Sequence, residues 1–251
     1  MKFISDKWLS EIIQRKAYAV KYEMNDLTDE KQYDILSSYL KIENVFLYVK
    51  IPANFLEMTH FFQKADFRIA DVNVVYEKII QHIATFKSNL IRFSTTKDQK
   101  TVTDLARNSF KHSRFHMDQE FGQDQADKIK SEWVNNFFLG KRGKWMIVAE
   151  KNEKAVGFLL LLEGENNSLV IDLIAVDSKF RGQGIAKQMI TYAERKLNSF
   201  EKILAGTQII NFSSMHLYEN MGFRASKSYY VLHYHNINNY FKKIFKANND
   251  N

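Results

Sequence analysis

Along the N-terminal third of the chain the apolar positions alternate between two periods. Lys7 to Arg15, Tyr33 to Leu40 and Asn54 to Lys64 carry them three or four apart, which predicts helices. Between these, "AYAVKYEM" (17–24), "NVFLYVKI" (44–51) and "FRIADVNVVYEKI" (67–79) are short runs of β-branched and aromatic residues, which predicts strands. Strand and helix in turn make an α/β lobe. A further strand, "NLIRFSTT", opens near Asn89, and "KDQKTVTDLARNSF" (97–110) and "DQADKIKSEWVNNFF" (124–138) predict two helices after it. "KWMIVAEKNEKAVGFLLLLE" (144–163) places two apolar runs around the polar turn Asn152 to Lys154, the pattern of an antiparallel hairpin. Strands follow at "SLVIDLIAV" (168–176), "EKILAGTQI" (201–209) and "SKSYYVLHYH" (226–235). The Lys/Asn-rich stretch from Lys242 has the composition of a disordered tail.

The junction after "SLVIDLIAV" carries the first chemistry. "VDSKFRGQGIAKQM" (176–189) puts Gly182 and Gly184 between a strand and a helix whose apolar face is Ile185, Ala186, Met189, Ile190, Ala193 and Leu197, with Lys187, Gln188, Thr191 and Glu194 between them. Glycine permits left-handed backbone and close approach of a ligand to the main chain. The free N–H groups of a helix's first turn attract an anion. Neither familiar phosphate loop fits. A P-loop needs Gly-Lys-Ser/Thr, and Lys187 is followed by Gln188; a dinucleotide fingerprint needs a third glycine or alanine where Lys187 stands.

The segment "AVDSKFRGQGIAKQMI" resembles the acetyl-CoA-binding stretch of the GNAT superfamily of N-acyltransferases, whose pattern Arg/Gln-x-x-Gly-x-Gly/Ala is filled by Arg181, Gly184 and Ala186. "NFSSMHLYENMGF" (211–223) is similar to that family's later Asn-initiated motif ending in L-Y-x-x-x-G-F. The resemblance implies an α/β GNAT fold, a mixed and mostly antiparallel sheet flanked by helices, over 88–242, after a smaller N-terminal α/β lobe over 1–87 and before a tail at 243–251. It also implies acetyl-CoA as cosubstrate, no metal, and a homodimer. Its cofactor-binding residues would be Ile174, Ala175, Val176, Arg181, Gly182, Gln183, Gly184, Ile185, Ala186 and Asn211. A backbone N–H at Ile174 or a neighbour would meet the thioester carbonyl. Tyr218 would reprotonate the leaving thiolate, since a phenol titrates near about 10 and stays protonated at neutral pH. Asp172, an acid in an apolar strand, must be paired, solvated or functional; alternation puts it on the face of Ile174, and the readings are a structural partner, or a base or contact for the substrate amine, with a water chain as the route that needs no dedicated residue.

"HFFQKADFR" (60–68) lines up with "HLYENMGFR" (216–224), with His, an aromatic, Phe and Arg in register. Any amphipathic helix leading into a strand gives a similar pattern; the alternative is a degenerate half-GNAT unit without a phosphate loop.

The 251 residues are 45% hydrophobic and 26% charged, with a net charge of +7 and no cysteine. Absence of cysteine excludes disulfides, zinc–thiolate sites and a cysteine acyl-enzyme. The lysines are scattered among acids, densest at "GKRGK" (140–144), so nucleic-acid binding ranks well below small polyanionic ligands. The N-terminal stretch lacks the apolar core of a signal peptide, and no uncharged run reaches the roughly eighteen residues of a membrane span, so a cytoplasmic location is the expectation.

The segment "KHSRFHMDQEF" (111–121) gathers arginine, histidine and aromatic residues in a predicted loop. His112 and His116 lie four apart, but no further ligand pattern accompanies them. Arg114, Phe115 and His116 are read instead as substrate-binding, Arg114 for a phosphate or carboxylate and Phe115 for stacking. "HSRFHMDQEF", "SEWVNNFFLGKRG" and "FRIADVNVVYEK" together resemble the TDP-fucosamine N-acetyltransferase group, which implies acetyl transfer to a nucleotide-linked amino sugar in polysaccharide biosynthesis. The alternatives are a protein or peptide amine as acceptor, and a non-catalytic acyl-CoA-binding protein.

Overall fold

The computed structural model describes residues 1–23, 26, 30–80 and 90–237. Two compact units result: Met1–Val72 together with the chain from Tyr229 on, and Asn73–Ser228. The expected boundary at 87/88, the strand start at Asn89 and the tail from 243 lie outside the described residues.

In the first unit β1 (Lys2–Ser5) pairs antiparallel with β2 (Lys16–Lys21), and β2 runs parallel to β3 (Val45–Pro52). The latter half of β10 (Arg224–Asn236) pairs antiparallel with β3, from Tyr229 opposite Pro52 to Asn236 opposite Val45. Alternate residues of β3, Val45, Leu47, Val49 and Ile51, meet Leu36 of α2 (Glu30–Leu40), and Met58 and Phe62 of α3 (Leu56–Lys64), in one core. Period-two strand faces and helix stripes thus close on each other, as the pattern predicts. α1 (Lys7–Ile13) starts where the Asp6 carboxylate accepts from the Leu9 N–H at 3.0 Å. β1 was not expected; its four residues hold mostly exposed side chains, and only tertiary pairing defines it.

The second unit has strand order β4-β9-β8-β7-β6-β5. β4 (Arg68–Ile79) joins through Asn73–Ile79, antiparallel to β9 (Lys202–Gln208). β9 is parallel to β8 (Ser168–Val176), and antiparallel pairs continue through β7 (Lys154–Gly164), β6 (Trp145–Lys151) and β5 (Ile91–Phe93). α4 (Gln99–Ser109) and α6 (Gln123–Phe138) cover one face, burying Val102, Ala106 and Val134 against Met146, Val148, Phe158 and Leu160. α7 (Ile185–Lys196) and α8 (Phe212–Asn220) belong with the other, where Met189, Ile190, Ala193 and Tyr218 meet Ile147, Leu159, Leu161 and Ile171. Helices therefore flank a mostly antiparallel sheet, as the family resemblance implies. The loop expected at 111–121 contains a one-turn helix, α5 (Arg114–Met117). Glu194, placed by pattern among the polar positions of α7, is 1% exposed and pairs with Lys78 at 2.7 Å.

The repeat seen in the sequence is also a repeat of backbone. After α3, the Ala65, Asp66 and Phe67 N–H groups bond to the Phe62, Gln63 and Phe62 carbonyls. After α8, Met221, Gly222 and Phe223 bond to Tyr218, Glu219 and Tyr218. Asp66 (φ 64) and Gly222 (φ 83) both take the left-handed turn that ends a helix. Phe62 packs on Phe67 at 4.9 Å, and Tyr218 on Phe223 at 5.4 Å. In each unit a strand–helix–strand segment with parallel strands precedes this turn. Among the described residues no helix is long and apolar enough to cross a membrane.

Candidate active site

The site begins with two irregularities in β8. Its pairing with β7 runs Gly157 to Val176 through Leu160 to Leu173, then slips so that Leu161 faces Ile171. Asp172 is the extra residue, a β-bulge. Leu169 and Ile171 face the α7 side before it. Leu173 and Ala175 face the α4/α6 side after it, while Ile174 and Val176 pack toward α7. The bulge turns Asp172 and Ile174 to opposite faces, correcting the strict alternation expected from the sequence. The second irregularity is that β8 and β9 pair only from Ser168/Lys202 to Ile171/Ala205. Beyond it the two strands run on, to Val176 and Gln208, without pairing each other.

A cleft of about 440 Å³ opens at this gap. Ile174, Ala175 and Val176 of β8 line it on one side and Gln208 of β9 on another. Arg181, Gly182, Gly184, Ile185 and Ala186, at the start of α7, also face it, as does Asn211. Gly182 (φ 76) and Gly184 (φ 71) are left-handed, and a Cβ on either would meet open space, so the backbone conformation and not crowding selects glycine. Arg181 braces the loop by donating from Nε to the Val176 carbonyl at 3.0 Å. Gln183 is not among the lining residues; its side-chain carbonyl accepts from Lys151 at 2.7 Å. Asn211 caps α8, accepting from the Ser214 N–H at 3.3 Å.

Tyr218 is not among the cleft-lining residues, although its neighbour Leu217 is, and it belongs to the core on the α7 side. It is 2% exposed, its ring 5.8 Å from Tyr76, and burial pushes its phenol well above the ordinary value of 10. Asp172 is engaged. Arg142 donates to both carboxylate oxygens at 2.7 Å, and Trp133 Nε1 donates at 2.9 Å. The guanidinium also stacks 4.5 Å over the Trp133 ring. The sequence marked Asp172 as an acid needing a partner and "GKRGK" as a basic loop, but only the bulge brings them together.

The 111–121 segment contributes differently from expectation. Arg114, Phe115 and His116 are not among the cleft-lining residues. Phe115 is 1% exposed, edge-on to Phe121 at 5.3 Å, and Arg114 stacks on it at 4.5 Å. His116 bridges Ser113 Oγ, 2.5 Å from Nδ1, and Asp127 Oδ1, 3.0 Å from Nε2. Lys111, His112 and Ser113, just before α5, line the cleft instead, with Lys187. No aspartate or glutamate lines it among the described residues. A positively lined cleft ending at a helix N-terminus suits a ligand with phosphates, and the unpaired strand edges beside it suit one with amide groups.

Residues 104–223 match the acetyltransferase (GNAT) family. The spore coat polysaccharide biosynthesis protein SpsD of Bacillus subtilis (strain 168) is 27% identical over 239 residues, covering 90% of this chain and 80% of that protein. Among solved structures, a functionally unknown conserved protein from Staphylococcus epidermidis ATCC 12228 has a TM-score of 0.59 at 17% identity, covering 89% of this chain and 85% of its own. A GCN5-related N-acetyltransferase from Sphaerobacter thermophilus has a TM-score of 0.56 at 12% identity, covering 93% and 75%.

Proposed function

Starting from a chain that carries a GNAT-family acetyltransferase domain and is an acetyl-CoA-dependent N-acetyltransferase, we propose that its acceptor is the amine of a nucleotide-linked amino sugar used in polysaccharide biosynthesis. The observation that carries this is the extent of one similarity. The family match stops at residues 104–223, whereas likeness to the polysaccharide biosynthesis protein continues over 90% of the chain. What is shared outside the transferase domain is the part free to serve the acceptor. The cleft's Lys111, Arg181 and Lys187, without a carboxylate, favour phosphate-bearing ligands over a basic peptide.

In this reading the Arg181–Ala186 loop and the N-terminus of α7 hold the pyrophosphate of acetyl-CoA. The acetyl thioester, when bound, supplies the electrophile. Backbone N–H groups of Asp172–Val176, free of β9, are the source of stabilisation for the carbonyl oxygen. Tyr218 holds the proton for the departing sulfur. Gly184→Ala forces an alanine into a left-handed conformation at about 1–2 kcal/mol, and is expected to weaken coenzyme A binding by about tenfold in a calorimetric titration with the fold intact. Unchanged affinity would remove this loop from the binding site.

The acceptor is tested by mass gain with acetyl-CoA on TDP- and UDP-linked amino sugars, beside a peptide mixture. The expected result is one acetyl group on a 4-amino-TDP-sugar. Acetylated peptides with untouched sugars would replace the acceptor and keep the transferase.

A further inference from the structure

The general base is the group the site still lacks. Asp172 is bound up by Arg142 and Trp133, and its bulge faces it away from Ile174. Besides His112, a hydrogen-bonded chain of proton-carrying groups reaches the cleft. Ser113 lines it, yet is only 5% exposed. Its Oγ is 2.5 Å from His116 Nδ1, and His116 Nε2 is 3.0 Å from Asp127 Oδ1. Asp127 also accepts from Gln123 at 3.1 Å. An ionised carboxylate only accepts, so the imidazole proton sits on Nε2, and Nδ1 is left to accept from the serine hydroxyl. The oxygen lone pairs of Ser113 are then available to a donor in the cleft.

We infer that Ser113, His116 and Asp127 form a proton relay that takes up the proton leaving the acceptor nitrogen. As the nitrogen bonds to the acetyl carbon, an N–H proton passes to Ser113 Oγ while the serine proton passes to His116 Nδ1. Serine is regenerated, the imidazole becomes imidazolium, and Asp127 stabilises that charge. The carbon–sulfur bond breaks with its electron pair on sulfur, which is protonated separately; imidazolium later releases its proton to solvent. The relay rests on the acetyl-transfer reading of the cleft, though not on which amine is the acceptor. Burial lowers His116 below its ordinary 6.5, opposed by Asp127 and assisted by Lys130 and Lys111, the charged groups facing it from α6 and the preceding loop. The imidazole is therefore neutral and able to accept at pH 7.

The tests separate the relay from the acceptor. In nitrogen-15 histidine NMR of the ligand-free protein at pH 7, His116 is expected to be neutral with its proton on Nε2. A proton on Nδ1 would overturn the relay, because Nδ1 could not then take the serine's. With a TDP-linked 4-amino sugar as probe, Ser113→Ala is expected to lower kcat by about a hundredfold and abolish the acid limb below pH 6.5, with Ser113→Thr restoring most of both. An unchanged rate in Ser113→Ala would overturn the proposal. If the sugar is not acetylated but thiol release with peptide amines or water depends on Ser113, the acceptor reading fails and the relay stands. No thiol release with sugar, peptide or water overturns both.

Discussion

Tyr218→Phe is expected to lower kcat by about a hundredfold or more while KM for acetyl-CoA stays within about twofold. The substitution removes one oxygen and leaves the ring, so packing against Tyr76 and Phe223 is kept and the melting temperature should hardly move. Burial raises the phenol above its ordinary value of 10, so it is protonated at neutral pH, and its ionisation should give no alkaline limb near neutrality. A general acid acts only as sulfur departs, so its removal shows in the chemical step. Steady-state kinetics with pre-steady-state thiol release would locate the loss. An unchanged kcat would take Tyr218 out of the mechanism and leave it as core.

The second large effect is on stability. Arg142→Met should cost about 2–3 kcal/mol, below the full penalty for breaking a buried pair because the guanidinium is 35% exposed and partly solvated. For a chain this size that lowers the melting temperature by roughly 5–10 °C. Asp172, 8% exposed, would keep only the Trp133 donor. Asp172→Asn is expected to show a similar loss of stability with kcat reduced only a few-fold. A collapse of kcat at a native melting temperature would instead make Asp172 the base and displace the relay.

Both expectations turn on features of differing legibility in the sequence. The turn before α7 was readable because Gly182 and Gly184 are chemically local: a left-handed turn between strand and helix needs them wherever the rest of the chain lies. The hairpin at 144–163 was readable for the same reason, its turn residues Asn152 and Glu153 adopting positive φ. The bulge was not. Nothing in "SLVIDLIAV" distinguishes an even strand from one that shifts phase at Asp172, since both sides of the sheet are covered by helices and every position can be apolar. The 111–121 segment was legible in composition but not in direction. Its residue types suggested recognition, while α5 turned Phe115 inward and left Lys111, His112 and Ser113 at the cleft.

The early end of the β8–β9 pairing has a consequence for how this protein meets its ligands. Past Ile171 and Ala205 the two strands no longer pair with each other, although each keeps its other neighbour, β7 or β4. A molecule lying in that gap with amide groups of its own would supply the missing partners and bind only the folded chain. Its affinity would then appear as resistance to unfolding, growing with the logarithm of its concentration. Slowed amide exchange along Asp172–Val176 would mark where it lies, and a library of candidate ligands could be ranked by heat alone.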